Sequence, residues 1–465
     1  MKDKNIVYNI KIIDLGNKGD SIGELKNGQK VLLKDGIPGD IVTAKISKKN
    51  KSLFKGRIIK VSTPSPFRVN PKCQHFTLCG GCKLQNMDYN AQLKFKQKHI
   101  IDNLQRIAKI KFPKPDIIIP SKEEYFYRNK LEFSFSNKRW LTNYEIKSKS
   151  KINRDGIGFH KSYSWDKIID INKCYLQQDP SNKIRNSIKN FSISNKLEFF
   201  DKKNKTGLLR TLTIRISNQK EIMILIQFYD ENKNNREKLL NYIITEFPNI
   251  SSLNYCINKK DNDTIYDQKI ICYYGNNYIT EKMNNLIFKI TPKSFFQTNS
   301  NQALKLYNKI IDFAEFKGKE IVYDLYSGTG TISQFVSKKC KKVIGIESVS
   351  ESVNIARYNA KINNSKNTFF EVGDIKNVFN SYFINKHGLA DIIITDPPRN
   401  GMHPKVIKQI IQLLPNKIIY VSCNSSTQAR DISLLKSKYK ITKIIAIDMF
   451  PQTNHIENIV LLEKE

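Results

Sequence analysis

Cys423 ends an apolar run, Ile418-Ile419-Tyr420-Val421, that breaks into the polar Ser422-Cys423-Asn424. Glu457 follows in Phe450-Pro451-Gln452-Thr453-Asn454-His455-Ile456-Glu457-Asn458. A thiolate that adds to a conjugated ring carbon activates the carbon beside it, and the adduct collapses only after a base removes a proton. Such a reaction needs a cysteine and a separate base. Alone, a strand-end cysteine is better explained as a small buried hydrophobe, so the elements around it decide the reading.

An apolar run ending in polar residues is how a buried parallel strand closes at its carboxyl edge, where open α/β sheets place their chemistry. Upstream, Val322-Tyr323-Asp324-Leu325-Tyr326-Ser327-Gly328-Thr329-Gly330 reads as a strand entering a glycine turn before a helix. A dinucleotide fingerprint would need a third glycine, and Ser333 stands there. Glu347 closes the next strand, Val343-Ile344-Gly345-Ile346, where a carboxylate accepts hydrogen bonds from a ribose diol. Asp374 follows Phe369-Phe370-Glu371-Val372-Gly373 and is placed to contact a base. S-adenosylmethionine fits this turn and these acids better than a dinucleotide. Asp396-Pro397-Pro398-Arg399 then ends a third strand in stiff residues that hold Asp396 and Arg399 over the site.

With a sulfonium methyl donor at hand, the chemistry of Cys423 and Glu457 becomes specific. Carbon 5 of a pyrimidine is a poor nucleophile until a thiolate adds to carbon 6, and after methylation carbon 5 still carries the proton that a base must remove.

The 465 residues suffice for two or three domains. Hydrophobic residues at 40% and charged ones at 26% exclude global disorder. The 78 Lys+Arg against 43 Asp+Glu leave a net charge of +35, which suits a polyanionic partner; a Lys-, Asn- and Ile-rich composition accounts for it equally well. No apolar run approaches the roughly 18 residues of a membrane span, and Lys2, Asp3, Lys4, Lys11 and Asp14 interrupt any signal core. A cytoplasmic protein, acting as a monomer, is expected.

Residues 1–62 read as a small barrel of about five short strands with a basic side, Lys48, Lys49, Lys51, Lys55, Arg57 and Lys60, ending at Pro64, Pro66 and Pro71. Residues 63–285 read as a mixed, largely antiparallel domain with an amphipathic helix near 84–109. Residues 286–465 alternate strand and helix, which predicts a doubly wound parallel sheet with its last strand reversed.

Eight cysteines in so long a chain, three of them at 73, 79 and 82, argue for a ligand cluster rather than a disulfide framework. Cys174 is the nearest fourth, and His75 is an alternative ligand. Four thiolates suit zinc or an iron–sulfur cluster.

Over nearly its whole length the chain resembles the bacterial RNA uracil-5 methyltransferases. The resemblance is carried by Ser294-Phe295-Phe296-Gln297-Thr298-Asn299, Asp324-Leu325-Tyr326-Ser327-Gly328-Thr329-Gly330, Asp396-Pro397-Pro398-Arg399, Tyr420-Val421-Ser422-Cys423-Asn424 and Asp448-Met449-Phe450-Pro451-Gln452-Thr453, with His455 and Glu457. It implies that Cys423 is the nucleophile and Glu457 the proton acceptor, while Gln297, Tyr326, Glu347 and Asp396 line the methyl-donor and uracil pocket with Gly328 and Gly330. Ser425 stands where the family usually has proline, and Thr331 where some members have asparagine. In the ribosomal-RNA branch a similar cysteine loop holds a [4Fe-4S] cluster, which would place Cys73, Cys79, Cys82 and Cys174 around it. Residues 1–62 look like the TRAM barrel that precedes the cluster there, whereas the tRNA branch typically lacks both. The substrate implied is 23S ribosomal RNA, with a loop uridine flipped into the pocket.

Two other readings are distinguishable. RNA cytosine-5 methyltransferases share the fold but carry a cysteine where Arg399 stands. A non-catalytic iron–sulfur RNA-binding protein would have no need of Cys423 and Glu457 together.

Overall fold

The computed structural model describes residues 6–16, 19–50, 53–148, 152–162 and 164–465. Strands β1 (Ile6–Leu15), β2 (Ser21–Glu24), β3 (Lys30–Lys34), β4 (Ile41–Asn50) and β5 (Leu53–Thr63) close into a barrel in the order β1-β2-β3-β5-β4. Their alternation turns Ile10, Ile12, Val31, Leu33, Val42 and Ala44 inward. So narrow a barrel has no room for a side chain at Gly23, where a Cβ would lie 2.7 Å from Ile10. Of the expected basic side, Lys51 lies outside the described residues, and only the backbone of Lys48 and Lys49 is described. The barrel leans on the body of the protein: a Cβ at Gly19 would stand 3.4 Å from Asn454.

The second sheet comprises β6 (Lys130–Ser136), β7 (Gly156–His160), β8 (Ile168–Asp170), β9 (Leu209–Ile216), β10 (Ile222–Phe228), β11 (Ser252–Ile257) and β12 (Ile271–Gly275), in the order β12-β11-β10-β9-β6-β7-β8. Every neighbouring pair is antiparallel except β10 with β11. That pair is parallel because the helix Lys233–Glu246 crosses over between them. The helix Ser181–Ser194 and the crossover helix cover one face with Ile184, Ile188, Leu239, Leu240 and Ile243. A hairpin, β13 (Ile279–Met283) and β14 (Leu286–Ile290), packs instead into the core of the third sheet.

That third sheet has the order β17-β16-β15-β18-β19-β21-β20, built from β15 (Ile321–Leu325), β16 (Lys342–Glu347), β17 (Thr368–Val372), β18 (Ile392–Thr395), β19 (Lys417–Ser422), β20 (Tyr439–Ile447) and β21 (Glu457–Lys464). β15 to β19 run parallel, and β21 runs antiparallel to both β19 and β20. The reversed last strand is as expected, because the loop from Asp448 to Ile456 returns the chain directly as a hairpin rather than through a crossover helix. Apolar cores fill both faces. The helix Tyr89–Asn103 contributes Leu93 and Ile100 to one of them and so lies against this sheet.

Candidate active site

The carboxyl edges of β15, β16, β18 and β19 and the start of β21 converge. Ser422 pairs with Asn458 across β19 and β21, so the next step of register brings Cys423 opposite Glu457. Asn424 caps the helix Ser425–Leu435, its Oδ1 accepting from the Ser426 N–H at 3.2 Å. Its Nδ2 donates to the Arg399 carbonyl at 2.9 Å, and the Thr427 hydroxyl donates to the same oxygen at 3.1 Å. The cysteine loop is thereby tied to the Asp-Pro-Pro-Arg loop. With Asn424 and Thr427 both gripping Arg399, Ser425 does not leave the loop loose.

Three carboxyls and one thiol share this edge. Burial pushes the Cys423 thiol up to about 11, Glu457 and Asp396 add to that, and the Arg399 guanidinium opposes it. Burial raises Glu457 well above the usual carboxylate range, with Asp396 adding and Arg399 opposing. Asp396 is pushed up to about 7 by burial and by Asp324. Asp324, wholly buried in β15, is itself raised to about 7, although it accepts a hydrogen bond from the Ser333 hydroxyl. A crowd of buried acids holds protons near neutrality, the condition for acid–base work.

Beside these groups lies the glycine turn. Tyr326, Gly328 and Gly330 all have positive φ, at 67°, 54° and 75°. Gly330 must lack a side chain, since a Cβ would lie 2.6 Å from the Phe370 ring, whereas a Cβ at Gly328 would meet nothing within 4 Å. The Gly328 N–H donates to Glu347 Oε2 at 3.1 Å, and Glu347 Oε1 accepts from the Val349 N–H at 2.8 Å. The turn, open space and the ribose-type acid are therefore adjacent, which suits a nucleoside cofactor. Asp374 caps the helix Ile375–Val378 at the surface, its carboxylate 2.7 Å from Lys376 Nζ. Thr331 begins the helix behind the turn and is buried.

Gln297 is buried in a segment pinned from the central sheet: Asn129 Nδ2 donates to its carbonyl at 2.9 Å, and the Asn129 N–H donates to the Thr298 carbonyl at 2.8 Å. The same segment grips the loop that carries Glu457. Asn299 Nδ2 donates to the Met449 carbonyl at 3.1 Å and Gln302 Nε2 to the Asp448 carbonyl at 2.9 Å. On the loop's other side, Lys96 Nζ lies 2.7 Å from Asp448 Oδ1, and the Tyr89 hydroxyl donates to Asp448 Oδ2 at 2.9 Å. Burial, Arg399 and Arg128 hold His455 down to about 4, so it stays neutral.

Sequence reasoning missed the buried Lys96–Asp448 pair, because Lys96 lies in a helix full of lysines with nothing to mark it. Asp324 did carry a signal: an acid inside an apolar strand.

Cys73, Cys79, Cys82 and Cys174 line one cavity of about 220 Å³. Burial and their mutual proximity push the Cys79 and Cys82 thiols up to about 12. Among the described residues no group of three or more His, Cys, Asp or Glu side chains is arranged to hold a metal ion. His75 is engaged elsewhere, its Nε2 accepting from the Asn172 N–H at 3.2 Å.

Comparison with known proteins agrees with this architecture. Residues 264–465 match the family described as tRNA (uracil-5-)-methyltransferase, and residues 4–59 match the TRAM domain. An uncharacterized RNA methyltransferase of Bacteroides thetaiotaomicron is 46% identical over 92% of this chain and 95% of its own length. Another, from Porphyromonas gingivalis, is 43% identical over 97% of this chain and 99% of its own. The crystal structure of Pyrococcus abyssi tRNA (uracil-54, C5)-methyltransferase in complex with S-adenosyl-L-homocysteine superposes with a TM-score of 0.75 at 29% identity, covering 98% of this chain and all of that one.

Proposed function

The chain belongs to the RNA (uracil-5-)-methyltransferase family, and from that premise we propose that it methylates carbon 5 of a loop uridine in 23S ribosomal RNA with S-adenosylmethionine. The observation that carries the reading is the β19–β21 register, which sets Cys423 opposite Glu457 at the edge that also bears the glycine turn.

Cys423, as thiolate, adds to carbon 6, and the electron pair of the 5,6 double bond moves toward the O4 carbonyl as an enolate. S-adenosylmethionine, when bound, supplies an electrophilic methyl that carbon 5 then takes. Glu457, ionised at that stage, removes the proton from carbon 5. The released pair re-forms the double bond and expels the Cys423 thiolate. Arg399 favours the thiolate form beside it. The open space at Gly328 and the Glu347 carboxylate on its N–H support the cofactor assignment.

Cys73, Cys79, Cys82 and Cys174 would hold a [4Fe-4S] cluster. Four thiols around one cavity, protonated when free, fit ligands that ionise only on metal binding. The cluster would bond the loop from Cys73 to Cys82 covalently to the segment at Cys174.

Transfer RNA is the competing substrate, and a specific observation favours it: the Pyrococcus enzyme, which acts on tRNA, spans the whole chain including the barrel. The barrel therefore does not separate the two. Mapping 5-methyluridine in rRNA and tRNA from a strain lacking the gene decides, and loss from tRNA alone would overturn the ribosomal assignment. Incubation with 5-fluorouracil-containing rRNA and S-adenosylmethionine should trap a covalent adduct. Its persistence in Cys423→Ala would overturn the nucleophile.

A further inference from the structure

Glu457 opens β21, a strand whose following residues, Asn458-Ile459-Val460-Leu461-Leu462, are all buried. Where apolar residues alternate with polar ones register is fixed, because a slip of one residue turns the apolar set to water. β21 lacks that safeguard. Val460 and Leu462 belong to the core on one face of the sheet and Ile459 and Leu461 to the core on the other, so apolar side chains fill both faces alike. A slip of one residue would exchange them at little hydrophobic cost and turn Glu457 to the face away from Cys423. The ties at Asp448, Met449 and Gln452 hold the preceding loop, several residues before β21 begins. A further contact is needed to hold the base in place.

Two wholly buried amides meet at this point. Gln428, one turn into the helix Ser425–Leu435, accepts from Asn458 Nδ2 through its Oε1 at 2.7 Å. Its Nε2 donates to the Tyr420 carbonyl of β19 at 2.9 Å and to the Asn458 carbonyl of β21 at 3.3 Å. One side chain thus aligns both strands against a single point. The Gln428 N–H donates to the Asn424 carbonyl at 3.1 Å, and Asn424 is the helix cap that follows Cys423. Nucleophile and base are therefore referred to the same helical turn, Cys423 through Asn424 and Glu457 through Asn458.

A buried amide pair carries a desolvation cost that apolar side chains of the same shape would not, so packing alone does not account for it. Asn458 Oδ1 has no hydrogen-bond partner, so that cost is not fully offset. What the pair supplies is discrimination. In a strand shifted by one residue, Gln428 would face the Glu457 carboxyl or the Ile459 side chain, and Asn458 would turn into the apolar core of the opposite face. One buried polar contact selecting a single alignment of otherwise interchangeable apolar residues is the role such groups have in coiled coils.

Resting on the reading of Cys423 and Glu457 as nucleophile and base, we propose that Gln428 and Asn458 are positioning residues for the reaction, their amide pair fixing the register that sets Glu457 against Cys423. Neither touches the substrate. The step that depends on them is the last one: Glu457 takes the carbon 5 proton, the released pair re-forms the 5,6 double bond, and the Cys423 thiolate leaves. Attack by Cys423 and transfer of the methyl group precede it.

The test uses the full chain, S-adenosylmethionine and a transcript spanning the mapped uridine. Asn458→Leu and Gln428→Met keep the side-chain volume and remove one amide each, leaving the other unpaired, so each should lower the urea midpoint. The double variant removes both amides and should be more stable than either single one, so it carries the test even where a single variant unfolds. In all three, kcat should fall about tenfold with KM for RNA unchanged, because the base is displaced and the binding surface is not. A covalent adduct that already carries the transferred methyl group should accumulate on ordinary RNA. A merely structural role predicts turnover that tracks stability, with no methylated adduct. Recovery of kcat in the double variant, or loss of turnover without adduct, would overturn the proposal. Failure of the wild type to form 5-methyluridine, or of Glu457→Gln to accumulate adduct, would instead overturn the reading of the active site on which it rests.

Discussion

Cys423, the first residue past the end of β19, and Glu457, the first of the antiparallel β21, stand one register step beyond the Ser422–Asn458 pair. The end of β19 and the start of β21 set the relationship, and Asn424, on the Arg399 carbonyl at 2.9 Å, holds the loop that carries Cys423. The relationship also sets a tension. A carboxylate beside the thiol disfavours the thiolate that the first step needs, while the second step needs that carboxylate close. Arg399, fixed through its carbonyl by Asn424 and Thr427, is the group that offsets the repulsion.

Glu457→Gln should therefore have two opposite effects. Removing a negative charge lowers the Cys423 pKa from about 11, so alkylation of the Cys423 peptide by iodoacetamide, followed by mass spectrometry against pH, should shift its midpoint downward. Methyl transfer should still occur but release should stall, and adduct should accumulate on ordinary RNA. An unshifted alkylation midpoint would refute the electrostatic coupling, and full turnover would refute Glu457 as the base.

Much of this was legible in the residues. The strand-end cysteine, the glycine turn, Glu347 and the reversed last strand each leave a local pattern, because alternating or continuous apolar runs with polar ends are what a sheet edge requires. What the pattern could not carry is long-range pairing. Lys96 and Asp448 lie 352 positions apart. The cap that Asp374 makes on its own helix and its pair with Lys376 are local contacts that its expected place beside a base did not specify.

The two glycines of the turn should fail differently. Gly330→Ala forces a Cβ to 2.6 Å from the Phe370 ring at positive φ, and should destabilise the protein in thermal unfolding. Gly328→Ala meets no protein atom and should cost only about 1–2 kcal/mol for its backbone conformation. Yet it fills the space assigned to the methyl donor, so calorimetry should show S-adenosylhomocysteine binding weakened at least tenfold. Unchanged affinity would place the cofactor elsewhere.

Lys96→Met should leave Asp448 buried with only the Tyr89 hydroxyl and the Phe450 N–H as donors. Breaking a buried pair in this way costs about 3–5 kcal/mol, readable as a lower urea midpoint. Because Lys96 Nζ also donates to the Phe450 carbonyl at 3.1 Å, kcat should fall with it as the loop leading to Glu457 loosens. A variant as stable as the wild type would show that the pair is not needed to hold the loop.

Asp324 predicts a pH dependence of stability with a definite sign. Its ordinary pKa of 3.8 is raised to about 7 by burial in β15, so between those values the unfolded chain ionises while the folded one keeps its proton. Stability from this group is fully present below about pH 4, falls as pH rises, and is lost above about pH 7, at roughly 1.4 kcal/mol per unit. Asp324→Asn removes the titration and preserves an oxygen to accept from the Ser333 hydroxyl. The variant should therefore be no more stable than the wild type at pH 4 and increasingly more stable toward pH 8. The gain has a ceiling of roughly 4 kcal/mol, reduced by the amide left where Asp324 Oδ1 has no partner. Urea unfolding of both proteins at pH 5 and pH 8 checks the slope. Equal differences at the two pH values would show that Asp324 is ionised in the folded protein throughout, and that the acid sharing its proton near neutrality is another member of the cluster.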